Sequence, residues 1–197
     1  MNILAQKLAP YSVLLGSQSP RRAQLLQGLD IPFDIRVKDV DESFPQSIPI
    51  ETVPQYLAEK KFNAFVSEIS DTTFLITADT VVILDNQILQ KPESHADARR
   101  LLRCLSGKTH TVITGVCFGL KHNKMAFSAE SHVTFSPLSE YEIDYYVHTY
   151  EPLDKAGAYG VQEWIGYIGI QSITGSYYNI MGLPVQALYR KIIEYDI

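Results

Sequence analysis

Cysteine is scarce in this chain: Cys104 and Cys117 are the only two in 197 residues, and neither belongs to a CxxC pair. That excludes a disulfide-built scaffold and a thiolate zinc ribbon. Cys104 falls in helical text and Cys117 in strand text, so both read as reduced, partly buried thiols. A reducing cytoplasm is the simplest setting. Metal-ligand histidine spacing is also missing, since His95, His110, His122, His132 and His148 form no HxxxH pair; each reads as a surface or satisfied core residue. No GxxxxGK[ST] loop and no GxSxG elbow occurs, so neither a P-loop nor a serine nucleophile is indicated. No apolar run reaches bilayer length, and the opening Met1–Leu8 is too short and too mixed for a signal peptide. Positive charge is in deficit, with 17 Lys and Arg against 22 Asp and Glu and a formal net charge of -5. Non-specific nucleic-acid binding needs a basic surface. A local basic cleft for one small polyanion remains compatible with an acidic protein.

Hydrophobic residues make up 46% of the chain and charged residues 20%, enough for a sizeable core. The length suits one domain or two small lobes. Apolar periods of two and of 3.6 alternate, which predicts a mixed α/β protein. Ser12–Gly16 reads as a short strand, Pro20 opens a helix capped by Ser19, and 33–37 reads as a second strand. The segment 52–69 reads as a helix with Ala58, Phe62, Phe65 and Ile69 on one buried stripe and Lys60 off it. Phe74–Ala78 reads as a buried strand ending at Asp79-Thr80, followed by a hairpin over 81–90. Ser94 with Asp97, and Ser139 with Glu142, carry capping-box spacing. A hairpin is predicted over 110–135, turning at 121–124. A glycine-rich loop spans 151–160, strand-like text runs on to Ile170, and a last helix follows Pro184. The residues before Ser12 form an extension with no assigned role.

Four segments carry chemistry. In Ser17-Gln18-Ser19-Pro20-Arg21-Arg22 a strand runs into a helix start. Unpaired N–H groups and the positive dipole end favour an anion there, and two arginines add phosphate donors. An ordinary capped helix with surface arginines fits the same text. Asp79-Thr80 follows an apolar strand, where a carboxylate can bind a hard cation or orient water; local backbone N–H groups could equally satisfy it. Lys91-Pro92 fixes a cation beside a rigid backbone, or is a solvated lysine. Asp154-Lys155-Ala156-Gly157-Ala158-Tyr159-Gly160-Val161-Gln162 combines small residues that admit a ligand with varied polar groups, or is a structural loop anchored by tyrosine.

These segments occur in a familiar order. SQSPRR, VDES, AEKK, ADT, QKP, SGKTHTVITG, EPLDKAGAYGVQ and ITGSYYNIMGLP together resemble the Maf family of nucleotide pyrophosphatases, over nearly the whole chain. The resemblance implies a Maf/ITPase-like α/β fold: a single domain over 1–197, with a mixed twisted sheet, flanking helices and two lobes around a cleft. It implies hydrolysis of a nucleoside triphosphate to the monophosphate and pyrophosphate with a divalent cation, Mg²⁺ or Mn²⁺. It further implies a cytoplasmic homodimer, with no nucleic-acid or membrane partner. Family members are connected with septum formation and with cleansing of nucleotide pools.

By the same resemblance, Asp79 matches the general base, and Glu42 with Asp79 the acidic residues at the metal. Ser17, Arg21 and Arg22 match the phosphate-binding turn, and Lys60 and Lys91 match phosphate-contacting lysines. Asp154 and Lys155 fall in the loop lining the cleft, with Lys155 a substrate contact. Arg21, Thr80 and Gln162 look like the residues of the dTTP and UTP branch, and a glutamine amide can donate to and accept from a pyrimidine edge. A sister branch acts on 7-methylguanosine triphosphate. A non-catalytic nucleotide sensor regulating division is the alternative from another class. The chain departs from the family text at Gln18, at Glu163-Trp164 after Gln162, and at Lys61 after Lys60.

Overall fold

The structure, a computed structural model, describes residues 2–196. In chain order the elements are α1 (Ile3–Leu8), β1 (Ser12–Leu15), α2 (Pro20–Gln27), β2 (Asp34–Ile35), α3 (Val53–Phe65), β3 (Thr73–Leu84), β4 (Gln87–Leu89) and α4 (His95–Leu105). They continue with β5 (Thr109–Leu120), β6 (Asn123–Phe135), α5 (Glu140–Tyr150), α6 (Trp164–Gly169), β7 (Ile170–Gly175), α7 (Tyr177–Met181) and α8 (Val185–Glu194). Seven strands form one sheet in the order β2-β1-β3-β5-β6-β7, with β4 paired to β3. The sheet is mixed: β1 runs parallel to β2 and β3, while β4 is antiparallel to β3 and β7 to β6. The expected α/β class with flanking helices is what the chain adopts.

The residues group into two compact units. The first holds the chain up to Asp79, Thr114–Ala129 and the residues from Gly182 on; the second holds Thr80–Ile113 and Glu130–Met181. In the first unit, the predicted stripe on α3 is real. Ala58, Phe62 and Phe65, with Ile69 beyond the helix end, pack on Leu14, Leu75 and Cys117 of the strands. Burial pushes the Cys117 thiol up to about 12, so it is an unreactive core residue. Gly115 on β5 lets α3 lie this close, since a Cβ there would sit 2.2 Å from the Pro54 and Gln55 backbone. The residues before β1 are not idle: α1 buries Leu4 and Leu8, and Lys7 Nζ donates to the carbonyls of Ile193 (2.7 Å) and Tyr195 (2.5 Å).

In the second unit α4 packs on α5. Ser94 caps α4, and Gly107 follows its end with a φ of 69° that suits glycine. Ser139 and Glu142 form the predicted capping box of α5.

Several sequence expectations change. The strand expected to stop at Asp79-Thr80 runs unbroken from Thr73 to Leu84, because the text contains no glycine or proline and is buried almost throughout. The strand expected over 33–37 shrinks to Asp34–Ile35, which is exposed on the sheet edge. The helix expected over 52–69 spans Val53–Phe65. The 110–135 hairpin turns on Lys121-His122 alone. The strand-like text before Ile170 is a helix, α6, which buries Ile165 and Gly169 four residues apart. Short β-branched and aromatic runs do not separate a helix from a strand by composition.

Candidate functional site

In the first unit the site begins where β1 ends. The Gly16 N–H donates to Ile76 O (2.8 Å), and the chain then leaves the sheet into Ser17-Gln18-Ser19. A Cβ on Gly16 would press Thr77 and Phe65 at 2.9 and 3.0 Å. Pro20 stands in the first turn of α2, and the Ser19 hydroxyl accepts from the Arg22 N–H. Ser17 Oγ accepts from Ser19 N (3.2 Å) and lies 3.4 Å from Arg22 Nη1. Arg22 Nε donates to Gly182 O (2.8 Å), so this guanidinium is anchored while Arg21 sits half-buried beside it. Burial lowers the Arg22 pKa; Asp79 opposes that, Arg21 adds to it, and Glu42 opposes it again. Arg22 therefore lies in the field of both carboxylates. Gln18 is exposed and is not among the positive-φ residues, so glycine's conformational freedom is not required there.

Strand periodicity sets the second part. Leu75, Thr77 and Asp79 alternate onto the β3 face that meets α3. Thr77 Oγ1 donates to Ala58 O (2.8 Å). One step on, Asp79 Oδ1 accepts from Lys61 Nζ at 2.5 Å, three residues beyond Ala58 on the same helix. Asp79 is 8% exposed. The same ammonium pairs with Glu42 Oε1 at 2.7 Å. Glu42, Lys61 and Asp79 thus converge.

Lys60 does not join them. It pairs with Asp41 Oδ2 (3.0 Å) and donates to Ser43 O (2.9 Å), where the Ser43 hydroxyl and N–H and then Lys60 hold the Asp41 carboxyl down at about 2. Lys61, not the Lys60 that the family resemblance points to, is the lysine at Asp79. Its signal was present: Ala58, Lys61, Phe62 and Phe65 follow the i, i+3, i+4, i+7 spacing of one helix face.

The remaining predicted residues belong to the second unit. Thr80 is half-buried on β3 and Lys91 is exposed. Lys91 follows Gln90, whose carbonyl accepts from Gly157 N (3.3 Å), so it adjoins the loop carrying Lys155 and Gln162. Gly157 has a φ of 68°, and a Cβ there would meet Val82 at 3.1 Å. Lys155 is 7% exposed. Its ammonium has protein partners, Asp154 Oδ1 at 2.7 Å and Glu163 Oε1 at 3.2 Å. Gln162 Oε1 is buried and makes no hydrogen bond within the described structure. Tyr159 Oη lies 2.7 Å from His110 Nε2, and burial pulls the His110 pKa down to about 4. Glu163, Tyr146 and His110 were not among the sequence-predicted residues. Tyr146 and His110 lie on separate elements with no local motif to flag them, whereas Glu163 directly follows Gln162 and stands out in the sequence only as a departure from the family text.

Among the described residues no three His, Cys, Asp or Glu side chains gather into a metal-binding group. Glu42 and Asp79 nevertheless turn oxygens onto one cation, the Lys61 ammonium. Such a pair fits Mg²⁺ or Mn²⁺, because Mg²⁺ is commonly bound through one or two carboxylates with substrate phosphates and water completing its shell. A hollow of about 290 Å³ beside β2, lined by Asp34 and Arg36 among others, contains none of the site residues.

Residues 12–195 match the family model described as Maf-like protein. The dTTP/UTP pyrophosphatase of Porphyromonas gingivalis is 52% identical over 195 residues, covering 98% of each chain. The dTTP/UTP pyrophosphatase of Bacteroides thetaiotaomicron is 50% identical over 186 residues, covering 94% of this chain and 96% of its own. The solved structure of the Staphylococcus aureus Ham1 protein overlaps 63% of this chain and 71% of its own, at 11% identity and a TM-score of 0.47.

Proposed function

The chain belongs to the Maf family, and from that premise we propose that it is a pyrophosphatase converting dTTP and UTP to the nucleoside monophosphate and pyrophosphate. The nucleotide assignment is supported by relatives of that activity at 50–52% identity over nearly the full length. The chemistry is supported by one observation above others: Asp79 and Glu42 share the Lys61 ammonium at 2.5 and 2.7 Å in the unit that also holds Ser17, Arg21 and Arg22.

Phosphoryl transfer asks the protein mainly for positioning and charge stabilisation. The α2 N-terminus with Arg21 and Arg22 receives phosphate oxygens. Asp79 orients a water and takes its proton as the water oxygen bonds to the α-phosphorus. The bond from that phosphorus to the bridging oxygen breaks, and pyrophosphate leaves with the electron pair. Lys61 holds the Asp79 carboxylate in place for this task. Glu42 and Asp79 would hold a divalent cation, which would supply neutralisation of charge on the phosphates. Lys91 contributes an exposed cation for phosphate. Arg21, Thr80 and Gln162 carry base preference; the buried, unpaired Gln162 Oε1 is an acceptor suited to the N3–H of thymine or uracil. The reaction belongs in the cytoplasm, where these triphosphates are, and we assign the homodimer of the family resemblance, testable by sedimentation.

Pyrophosphate release should be measured with Mg²⁺ or Mn²⁺ against common and modified triphosphates, with products resolved. Monophosphate and pyrophosphate from dTTP and UTP are expected. Asp79→Asn should lose about 10²–10⁴-fold in kcat while nucleotide binding persists; near wild-type turnover would remove Asp79 from the chemistry. Tight binding without any product from the wild type would replace the enzyme with a nucleotide sensor.

A further inference from the structure

We propose that Glu163 is a positioning residue for base selection, bracing the segment that carries Gln162 by holding Lys155 at one end and Tyr146, and through it Gly160, at the other. The observations form a closed set. Glu163 Oε1 pairs with Lys155 Nζ at 3.2 Å, and Lys155 also pairs with Asp154. The Tyr146 hydroxyl donates to Glu163 Oε2 and accepts from the Gly160 N–H at 3.0 Å. The Glu163 N–H closes back on Gly160 O at 3.0 Å. The Glu163 carboxyl lies where a Gly160 Cβ would go, 2.7 Å from Cδ, so glycine at 160 is what lets the carboxylate reach inward.

The parts are buried enough for this to matter. The Lys155 side chain is 9% exposed and that of Glu163 20%, while Tyr146 is fully buried on α5. Charge-assisted hydrogen bonds out of water are strong and geometrically demanding. Gln162 stands between Gly160 and Glu163, inside the braced stretch, and its orphan Oε1 is useful only if its direction is fixed. Lys155 then acts as the strut of the Gln162 loop, because both of its carboxylate partners belong to the protein. This role stands in place of the substrate contact that the family resemblance implied for it.

The inference rests on the proposed pyrophosphatase activity, and its test separates the two. Glu163→Gln keeps an acceptor for Tyr146 and removes the charge facing Lys155; Tyr146→Phe keeps the ring and removes the bridge. KM and kcat for dTTP, UTP and dCTP should be measured for both variants and the wild type, with amide hydrogen exchange over residues 154–163. The expected result is a KM for dTTP and UTP raised roughly 5–20-fold with kcat within about twofold, a dTTP-over-dCTP preference reduced by a similar factor, and faster exchange at the Gly160 amide. Wild-type KM and preference in both variants would overturn the brace. So would an equal loss of kcat on all three nucleotides with a lowered Tm, which marks a merely structural role. A wild type inactive on every triphosphate would refute the pyrophosphatase instead, and exchange at Gly160 would still decide the brace, with unchanged exchange overturning it.

Discussion

Lys60 and Lys61 are adjacent in the chain, yet a helix turns successive residues by about 100°. One step therefore separates a lysine at the exposed Asp41, whose side chain is 71% exposed, from a lysine at Asp79, whose side chain is 11% exposed. Burial decides their worth. An exposed pair contributes about 0–1 kcal/mol, whereas losing a charge-assisted bond at a partly buried carboxylate costs about 1.5–3 kcal/mol. Lys61→Met should therefore lower kcat/KM roughly 10–100-fold, and Lys60→Met should stay within about threefold. Parallel steady-state kinetics on the two variants checks this, and equal losses would return Lys60 to the site. At this scale the sequence reveals residue types but not partners. The order of motifs pointed to Asp79, Glu42 and the Ser17–Arg22 turn, and in the structure Arg22 of that turn lies in the field of both carboxylates. It could not reveal that Lys155 meets Glu163, because that pairing depends on how the 154–163 loop folds back against α5.

The elements position the site through close approach. α3 brings Lys61 to Asp79 because its first turn rests on the backbone of β5 at Gly115, where a Cβ would be 2.2 Å from Pro54 and Gln55. No flexible side-chain tip is there to move aside, so Gly115→Ala must push the helix itself. The expected cost is about 3 kcal/mol, read as a Tm about 5–10 °C lower, together with a fall in turnover as Lys61 leaves Asp79. A Gly115→Ala protein with unchanged Tm would mean that α3 does not pack there. Amphipathic helices were legible from their 3.6 period, as the α3 stripe and the Ser139 capping box illustrate. Elements without a distinct period were not. β3 reads as two strands in the sequence because Asp79-Thr80 resembles a strand end, although burial on both faces carries the strand to Leu84. α6 reads as a strand in the sequence because Ile165, Tyr167 and Ile168 are strand formers, although Gly166 and Tyr167 N–H both reach Glu163 O at 2.8 and 3.3 Å and wind the chain into a helix.

Across the whole molecule, alternating periods of two and 3.6 residues made the α/β class legible, but the division into units was not. Three of the four divisions fall inside β3, β5 and β6, at 79/80, 113/114 and 129/130, where no proline- or glycine-rich linker marks them, and the fourth, at 181/182, falls at Gly182 just before Pro184. Stability is the property summed over all of these parts, and its pH dependence follows from proton uptake on unfolding. The groups with lowered carboxyl pKa, among them Asp41, Glu68, Asp97, Glu140 and Glu142, stabilise the fold above their unfolded values and lose that contribution only at lower pH. His110 acts nearer neutrality. It is 2% exposed, stacks on Phe135 and meets Tyr159; burial alone brings its pKa from 6.5 to about 4. Because the folded value is depressed, the unfolded chain binds more protons between about pH 6.5 and 4. The stability due to a neutral His110 is thus fully present above about 6.5 and is lost as pH falls through that window. Between pH 7 and 5 this amounts to about 2 kcal/mol. His110→Phe retains a ring against Phe135 and removes the titration. Its loss of the Tyr159 hydrogen bond lowers stability at both pH values, so its urea midpoint should change much less than that of the wild type between pH 7 and 5. Equal pH shifts in the two proteins would place the titrating group elsewhere.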